Sequence, residues 1–155
     1  MTLKLNESCN ATWRIFLTTH AKLIGLIEQE LAQAELPPLA WYDVLLALSE
    51  SPDRRLRMHE LAEAMVLDRS NLTRLVDRLE VKGLVCRKSC PTDRRGAFAA
   101  ITEEGNAMRE KMWPVYSQAI AKYFACHLNE TEVEVLSKVL SRMLAGAREA
   151  EKVTN

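Results

Sequence analysis

The chain has 155 residues, of which 48% are hydrophobic and 27% are charged, a balance typical of a folded soluble protein. No apolar run reaches the roughly 18–20 residues that cross a bilayer, and residues 1–10 lack the basic-then-apolar layout of a secretory signal. The four cysteines are too scattered to form a disulfide framework. We therefore expect a cytoplasmic protein without a membrane segment.

The net charge is zero, but the charges are unevenly distributed. Residues 54–95 contain eleven lysines and arginines against six aspartates and glutamates, so this segment carries +5 and the rest of the chain carries −5. A basic segment in an otherwise acidic chain suits binding to a phosphate backbone. The charge distribution alone leaves other interpretations open.

Two helices are predicted before the basic segment. Apolar residues recur at helical spacing from Ala11 to Leu31, and Pro37-Pro38 ends this segment because proline cannot continue a helix. A second helix is predicted from about Leu39 to Leu48. Leu56 and Met58 after it can form only a very short strand.

The middle of the chain predicts two closely spaced helices. The first, His59–Met65, is short, and the second begins after Asp68, a good N-cap residue, and runs to about Val81. Gly83 lies just beyond its end, as expected for a helix stop. The exposed side of the second helix is polar and contains Arg69, Ser70, Asn71, Thr73, Arg74, Asp77 and Arg78.

A β-hairpin with a basic tip follows, with predicted strands at Leu84–Lys88 and Ala97–Ile101. Thr102 is predicted to cap a long helix over Glu103–Ala125, which Pro114 should kink. Beyond it, Asn129 with a glutamate three residues later resembles a capping box that opens a last helix to about residue 147.

This order of elements predicts a mainly α fold with a small β-hairpin wing. Residues 36–101 form a winged helix-turn-helix, and residues 1–35 and 102–155 form a helical dimerisation region. The outer helices have apolar stripes that the small middle region cannot cover. Pairing with a second copy to give a homodimer is therefore expected.

The segment from Trp41 to Gly105 resembles the MarR family of bacterial regulators. The family's wing motif, Asp-x-Arg-Gly, is present as Asp93-Arg94-Arg95-Gly96, after the sequence TRLVDRLEVKGLV and before a capped helix. The resemblance implies a triangular homodimer built on the terminal helices. It also implies a sequence-specific DNA-binding transcription regulator, here predicted to be a repressor, that responds to a small ligand or to an oxidant.

In a protein of this family, the exposed side of the Asp68–Val81 helix would enter the major groove of DNA. Arginine can pair with guanine, asparagine with adenine, and serine or threonine with a groove edge or a phosphate. The predicted base-reading residues are Arg69, Ser70, Asn71, Thr73 and Arg74, and Arg78 is predicted to contact a phosphate. Without the wing and the family, the same pattern is as typical of a solvated helix surface.

In the wing, Arg95 is predicted to enter the minor groove, where A·T-rich DNA concentrates negative potential. Arg94 contacts a phosphate or shares that role, and Asp93 holds an arginine in place, because DNA repels a carboxylate. An ordinary charged hairpin tip is the alternative. Two recognition helices and two wings imply a pseudo-palindromic operator with half-sites about one helical turn apart.

Family members bind small aromatic acids between the terminal helices and the DNA-binding region. The predicted site for such an aromatic or phenolic ligand consists of Trp13 and His20 on the first helix with Trp41 and Tyr42 on the second. A histidine packed in the core or in an interface is an equal alternative for His20.

Cys9 lies on the same stripe as Trp13, so a cysteine-based oxidant-sensing regulator of the same fold is the alternative function. The three histidines show no metal-ligand spacing with the cysteines, no glycine-rich phosphate loop occurs, and no serine has the sequence context of a nucleophile. We therefore predict no catalytic residue, metal ligand or cofactor. A winged helix that binds only protein is a third alternative, but it leaves the basic residues unexplained.

Overall fold

The computed structural model describes residues 2–66, 70–90 and 93–154, with the description of residues 90 and 93–96 limited to the backbone. The helices are α1 (Glu7–Gln33), α2 (Leu39–Glu50), α3 (Met58–Ala64), α4 (Leu72–Val81), α5 (Glu103–Tyr123) and α6 (Glu130–Thr154). The strands are β1 (Arg55–Arg57), β2 (Val85–Cys90) and β3 (Asp93–Ile101). Short 3-10 helices cover Pro52–Arg54 and Ala125–His127.

The predicted fold class, mainly α with a small β-hairpin wing, is confirmed. The hairpin of β2 and β3 is joined by β1 into an antiparallel sheet with the strand order β1-β3-β2. Arg57, Phe98 and Lys88 lie side by side across the three strands, so their side chains share one face of the sheet. The next residues along, Leu56, Ala99 and Arg87, share the opposite face, which carries the core contacts.

The hydrophobic core lies between this sheet and helices α2, α3 and α4. Leu45 of α2, Leu61 of α3 and Leu79 of α4 are all fully buried there. Burying a leucine side chain stabilises a fold by roughly 1.5–3 kcal/mol. Leu72 and Val76 continue the apolar stripe of α4, so the opposite side of this helix faces solvent.

The end of α4 is tied to the start of α5 by hydrogen bonds. Gly83 has φ of +73°, and the Leu84 amide donates to the Leu79 carbonyl oxygen at 3.0 Å, a Schellman-type helix end. The Thr102 hydroxyl accepts from the Gly105 amide at 3.0 Å and donates to the Gly83 carbonyl oxygen at 2.6 Å. The predicted helix stop and the predicted cap of α5 are both confirmed.

Gly105 allows α5 to approach the backbone that follows α4. A Cβ atom at this position would lie 2.0 Å from the Leu84 carbonyl oxygen and 2.8 Å from Cγ1 of Ile101. No side chain fits in that space, so the close approach requires glycine.

Some predicted helix boundaries are wrong. Helix α4 begins at Leu72 rather than after Asp68, and the residue before it, Asn71, has φ of +61°. Asparagine adopts this left-handed conformation more readily than most residues, which explains why helical geometry starts only after it. Asp68 itself lies outside the described residues. At the other end of the chain, α6 continues past the predicted end to Thr154.

The predicted capping box of α6 is confirmed. The Asn129 amide donates to Oε2 of Glu132 at 2.9 Å, and the Glu132 amide donates to Oδ1 of Asn129 at 2.9 Å. The chain divides into two compact units, residues 1–119 and residues 120–155, so α6 belongs to the second. Within the described part of the chain, no helix is long and apolar enough to span a membrane.

Candidate nucleic-acid interface

Helix α4 presents two arginines on one side of its solvent-facing surface. Arg74 and Arg78 are exposed and lie four residues apart, so their side chains project from the same side of the helix. Neither arginine takes part in an ion pair within the residues that the structure describes. Their exposure places both side chains at the surface of the described part of the protein.

The other predicted base-reading residues lie at the start of α4. Thr73 is exposed in its first turn, and Ser70 and Asn71 are exposed in the turn that precedes the helix. Arg69 lies outside the described residues. The structure thus keeps five predicted residues exposed along the start and the first two turns of α4, namely Ser70, Asn71, Thr73, Arg74 and Arg78.

The side of α4 that flanks Arg74 and carries Asp77 and Glu80 is bound to the wing through Arg87 of β2. Nη1 of Arg87 donates to Oδ1 of Asp77, and Nη2 donates to the Thr73 carbonyl oxygen at 3.2 Å. The Arg87 amide donates to Oε2 of Glu80 at 2.9 Å, and Nη1 lies 3.6 Å from Oε1 of the same residue. One side of α4 therefore makes its contacts inside the protein, and the Arg74 side remains open.

Sequence reasoning missed this role of Arg87. One available signal was the alternation of side chains within β2, which places Arg87 and Val85 on the core face of the sheet. The other was the pair of carboxylates on α4, Asp77 and Glu80, which are three residues apart and so lie on one side of the helix. The alternation alone does not show which helix residue an arginine contacts.

The wing carries its predicted residues at the start of β3. Asp93 pairs with Cys90 of β2, and Arg94 and Arg95 follow on β3. Their side chains lie outside the described part of the structure. Closer to the core, the guanidinium groups of Arg55 and Arg57 lie 4.8 and 5.3 Å from the centre of the Phe98 ring. The outer face of the sheet is therefore also basic.

The chain just after α3 is attached to α2 through a buried carboxylate. Asp43 is 7% exposed, and its Oδ2 accepts from the Val66 amide at 2.9 Å. A buried carboxylate needs such partners, because leaving it without hydrogen bonds is costly. This bond fixes the chain at the point where it leaves α3.

A cluster of three aromatic rings lies next to Asp43. The Tyr42 ring stacks on Trp113 with centroids 6.1 Å apart and meets Tyr116 edge-on at 5.1 Å, and Trp113 and Tyr116 are 5.8 Å apart. Burial raises the pKa of Tyr42, although the positive charge and hydrogen bond of Arg109 oppose this. Burial, followed by the proximity of Tyr42 and Asp43, raises the pKa of Tyr116. Both phenols are therefore protonated at neutral pH.

The four predicted ligand-binding residues have different environments. Tyr42 is buried in the aromatic cluster, whereas Trp41 packs against the hydrophobic core. Trp13 is 55% exposed, and the centre of its ring lies 6.0 Å from the centre of the Phe16 ring. His20 is exposed. The described ring contacts of Tyr42 come from α5 rather than from α1.

Sequence reasoning missed the contribution of α5 to this cluster. Arg109, Trp113 and Tyr116 follow the i, i+4, i+7 spacing of one helix face, which was the available signal. Cys9, the predicted redox residue, is exposed in the first turn of α1, where its amide donates to Oδ1 of the capping residue Asn6 at 2.7 Å.

The helix pair α3–α4 followed by a β-hairpin defines a winged helix-turn-helix protein. Similarity to known proteins supports this assignment. A sequence model of the MarR family matches residues 35–96. The chain is similar to the HTH-type transcriptional regulator MhqR from Bacillus subtilis (strain 168), with 34% identity over 92 residues, which covers 59% of this chain and 63% of MhqR. It thus spans less than two thirds of this curated relative.

Two solved structures resemble nearly the whole chain. AbsC, a MarR family transcriptional regulator from Streptomyces coelicolor, shares 31% identity with a TM-score of 0.83, over 96% of this chain and 99% of AbsC. Sco3205, a MarR family transcriptional regulator from the same organism, was solved in complex with DNA and shares 31% identity with a TM-score of 0.85, over 94% of this chain and 91% of that chain. The chain belongs to the MarR family of winged-helix, DNA-binding transcription regulators.

Proposed function

We propose that this protein is a transcription repressor that binds a pseudo-palindromic operator as a homodimer and releases it when a small aromatic or phenolic ligand binds. The observation that carries the proposal is the exposed side of α4, where Arg74 and Arg78 have no ion-pair partner among the described residues. The complex of Sco3205 with DNA supports the same use of the fold.

In this proposal, α4 lies in the major groove. Arg74 pairs with a guanine, and Asn71 and Thr73, at the start of the helix, contact base edges or phosphates. Arg78, one turn further along, contacts a phosphate and sets the position of the helix. Ser70 and Arg69 are the remaining base-reading residues of this proposal.

The wing supplies the second contact with DNA in this proposal. Arg95 enters the minor groove, and Arg94 contacts a phosphate or shares the groove. Asp93 holds an arginine side chain. A helix in the major groove and an arginine in the adjacent minor groove together contact more base pairs of one half-site than either does alone. The longer contacted sequence raises the specificity of binding.

The homodimer is supported by exposed apolar side chains on the terminal helices, taken separately. On α1, Trp13, Ile15, Phe16 and Leu17 are each at least 45% exposed. On α6, Met143 is 62% exposed and no residue is buried. A second copy would cover such surfaces, and twofold symmetry would match the symmetry of a palindromic operator.

The ligand proposal rests on the aromatic cluster. Tyr42, Trp113 and Tyr116 offer flat ring surfaces, and the neighbouring Arg109 is a cation that can pair with a carboxylate or a phenolate. Asp43, which accepts a hydrogen bond from the Val66 amide, is the neighbour of Tyr42, so a ligand that moves this ring also acts on the chain that leads from α3 to α4. Trp41, Trp13 and His20 remain predicted members of the site.

The test is a selection of bound fragments from genomic DNA, followed by titration of the purified protein at two salt concentrations, with and without salicylate. Tight binding that weakens steeply with salt, at a site with twofold symmetry, is expected because each neutralised phosphate releases counterions. Salicylate should release the DNA and quench tryptophan fluorescence. An absence of selected fragments at low salt would overturn the proposal.

The same titration with peroxide decides the alternative of oxidant sensing. Exposure of Cys9 makes its thiol accessible to an oxidant. Release by peroxide that disappears in Cys9→Ser would replace the ligand mechanism with a redox mechanism. Release by salicylate in both proteins would retain it.

A further inference from the structure

Arg87 holds helix α4 and strand β2 together at three points. The contacts reach Thr73, Asp77 and Glu80, which span eight residues, or about 10 Å, along the helix. One contact uses the backbone of Arg87, and one uses the backbone of Thr73. Contacts spread over this length resist both tilting and sliding of the helix against the strand.

A single ion pair on a protein surface would not support this argument, since exposed pairs contribute little. Arg87 differs because its side chain is only 27% exposed and combines an ion pair with a hydrogen bond to a carbonyl oxygen. The planar guanidinium group makes the two bonds with different nitrogens, so its orientation is fixed. Lysine cannot reproduce this geometry.

Arg87 also changes the charge that α4 presents to DNA. Asp77 and Glu80 lie on the same helix as Arg74 and Arg78, and two carboxylates there would repel phosphates. Arg87 pairs with Asp77 and lies 3.6 Å from Glu80. Its guanidinium group therefore offsets negative charge on the helix that is proposed to enter the major groove.

We propose that Arg87 is a positioning residue for DNA binding: it fixes α4 against the wing strand, so that the helix and the wing engage one half-site together, without itself touching DNA. The proposal rests on the proposed DNA-binding function. It predicts that the loss of Arg87 weakens binding without removing a phosphate contact.

The experiment compares Arg87→Gln with Lys88→Gln in the full chain. Lys88 is the matched control, because it is adjacent, exposed, carries the same charge, and projects from the opposite face of the sheet. Arg87→Lys keeps the charge but loses the fork-shaped geometry. Asp77→Asn, alone and combined with Arg87→Gln, completes a double-mutant cycle. Thermal melting identifies any variant that fails to fold.

Two readouts separate positioning from direct contact. Hydrogen exchange of the free protein should become about tenfold faster in β2 and in the first turns of α4 in Arg87→Gln, and remain unchanged in Lys88→Gln. DNA affinity of Arg87→Gln should fall about 10-fold to 100-fold with the wild-type salt slope, and Arg87→Lys should restore little of it. Asp77→Asn should add little further loss in the Arg87→Gln background.

An Arg87→Gln variant that binds like the wild type would overturn the proposal. A salt slope reduced by about one would also overturn it, because Arg87 would then contact a phosphate directly. Unchanged hydrogen exchange in Arg87→Gln would show that Arg87 does not fix α4 against β2, which would also overturn the proposal. If the wild-type protein binds no selected DNA, the proposed function fails, and that outcome is distinct from a defect confined to the variant.

Discussion

The winged-helix region and the terminal helices of this protein bury their apolar residues to different extents. In the winged-helix region, Val44, Leu61 and Val76 are fully buried between three helices and a sheet. On α6 none of the residues from Glu130 to Thr154 is buried, and on α1 the burial is confined to Ile27 and Leu31. The first region contains its own core, whereas the terminal helices leave apolar side chains exposed in the single chain.

This difference has a consequence for mutations. A change in the winged-helix core acts on folding of the single chain, since its partners lie within the chain. A change on the exposed part of α1 or on α6 should act mainly on assembly, and through assembly on DNA binding.

The largest effect is expected for Gly105→Ala, where the winged-helix region meets α5. The added methyl group would lie 2.0 Å from the Leu84 carbonyl oxygen, so the backbone must shift at a cost of roughly 3–5 kcal/mol. Thermal melting should show a fall of about 10 °C or more. Gly146→Ala on α6 is the control, because nothing lies within 4 Å of its Cβ position. A control that melts as early as Gly105→Ala would contradict this account.

The next effect is on assembly. Phe16→Asp on α1 and, separately, Leu144→Asp on α6 place a charge on surfaces that are 45% and 50% exposed in the single chain. If a second copy covers them, burial of the unpaired carboxylate should shift the protein to monomer and weaken operator binding by roughly 100-fold or more. Analytical ultracentrifugation measures the shift, with Val81→Ser, 85% exposed on α4, as the control. A wild-type protein that is monomeric at micromolar concentration would contradict the expectation that a second copy covers these surfaces.

Arg74 and Arg78 should have different effects within the winged-helix region. Arg74→Ala is expected to cost about 1–3 kcal/mol on the preferred operator and to relax discrimination at one base pair. Arg78→Ala should weaken all sequences about equally and lower the salt slope by about one. Titration of both variants against an operator and its single-base variants makes the distinction. Identical profiles for the two variants would show that neither arginine reads a base.

The smallest effect concerns Tyr116, whose pKa is raised by burial and by its neighbours Tyr42 and Asp43. An unfolded chain ionises tyrosine near pH 10, so the stability that the buried phenol contributes is present below that pH and is lost as the pH rises towards the higher folded value. Tyr116→Phe should therefore lose less stability between about pH 9 and pH 11 than the wild type. Melting curves at these two pH values, compared with pH 7, measure the difference. Equal losses of stability in Tyr116→Phe and in the wild type would show that a group other than Tyr116 causes the alkaline loss.

Local signals predicted most of the fold. Helix periodicity, the glycine stop at Gly83, and the caps at Thr102 and Asn129 each depend on residues a few positions apart, and all three end signals are confirmed. The start of α4 was missed because Asn71, which was expected inside the helix, adopts a left-handed conformation. A boundary that depends on one backbone angle is hard to infer from composition.

The site was predicted less completely than the fold, because its contacts join distant parts of the chain. Arg74 and Arg78 were found from the exposed face of one helix, and the structure keeps them exposed. The bonds of Arg87 to α4 cross from strand to helix, and the Tyr42–Trp113 stack joins residues far apart in sequence. Periodicity identifies the face on which a residue lies, but it does not identify the residue opposite.

The amino-acid sequence by itself determined the order of helices and strands, the exposed basic face of α4 and the resemblance to the MarR family, since these depend on short-range patterns and motifs. Tertiary structure decided which side of α4 is held by Arg87, why Gly105 must be glycine, and which rings surround Tyr42. The physical reason is that close packing and hydrogen-bond geometry between distant segments are set only when the chain has folded.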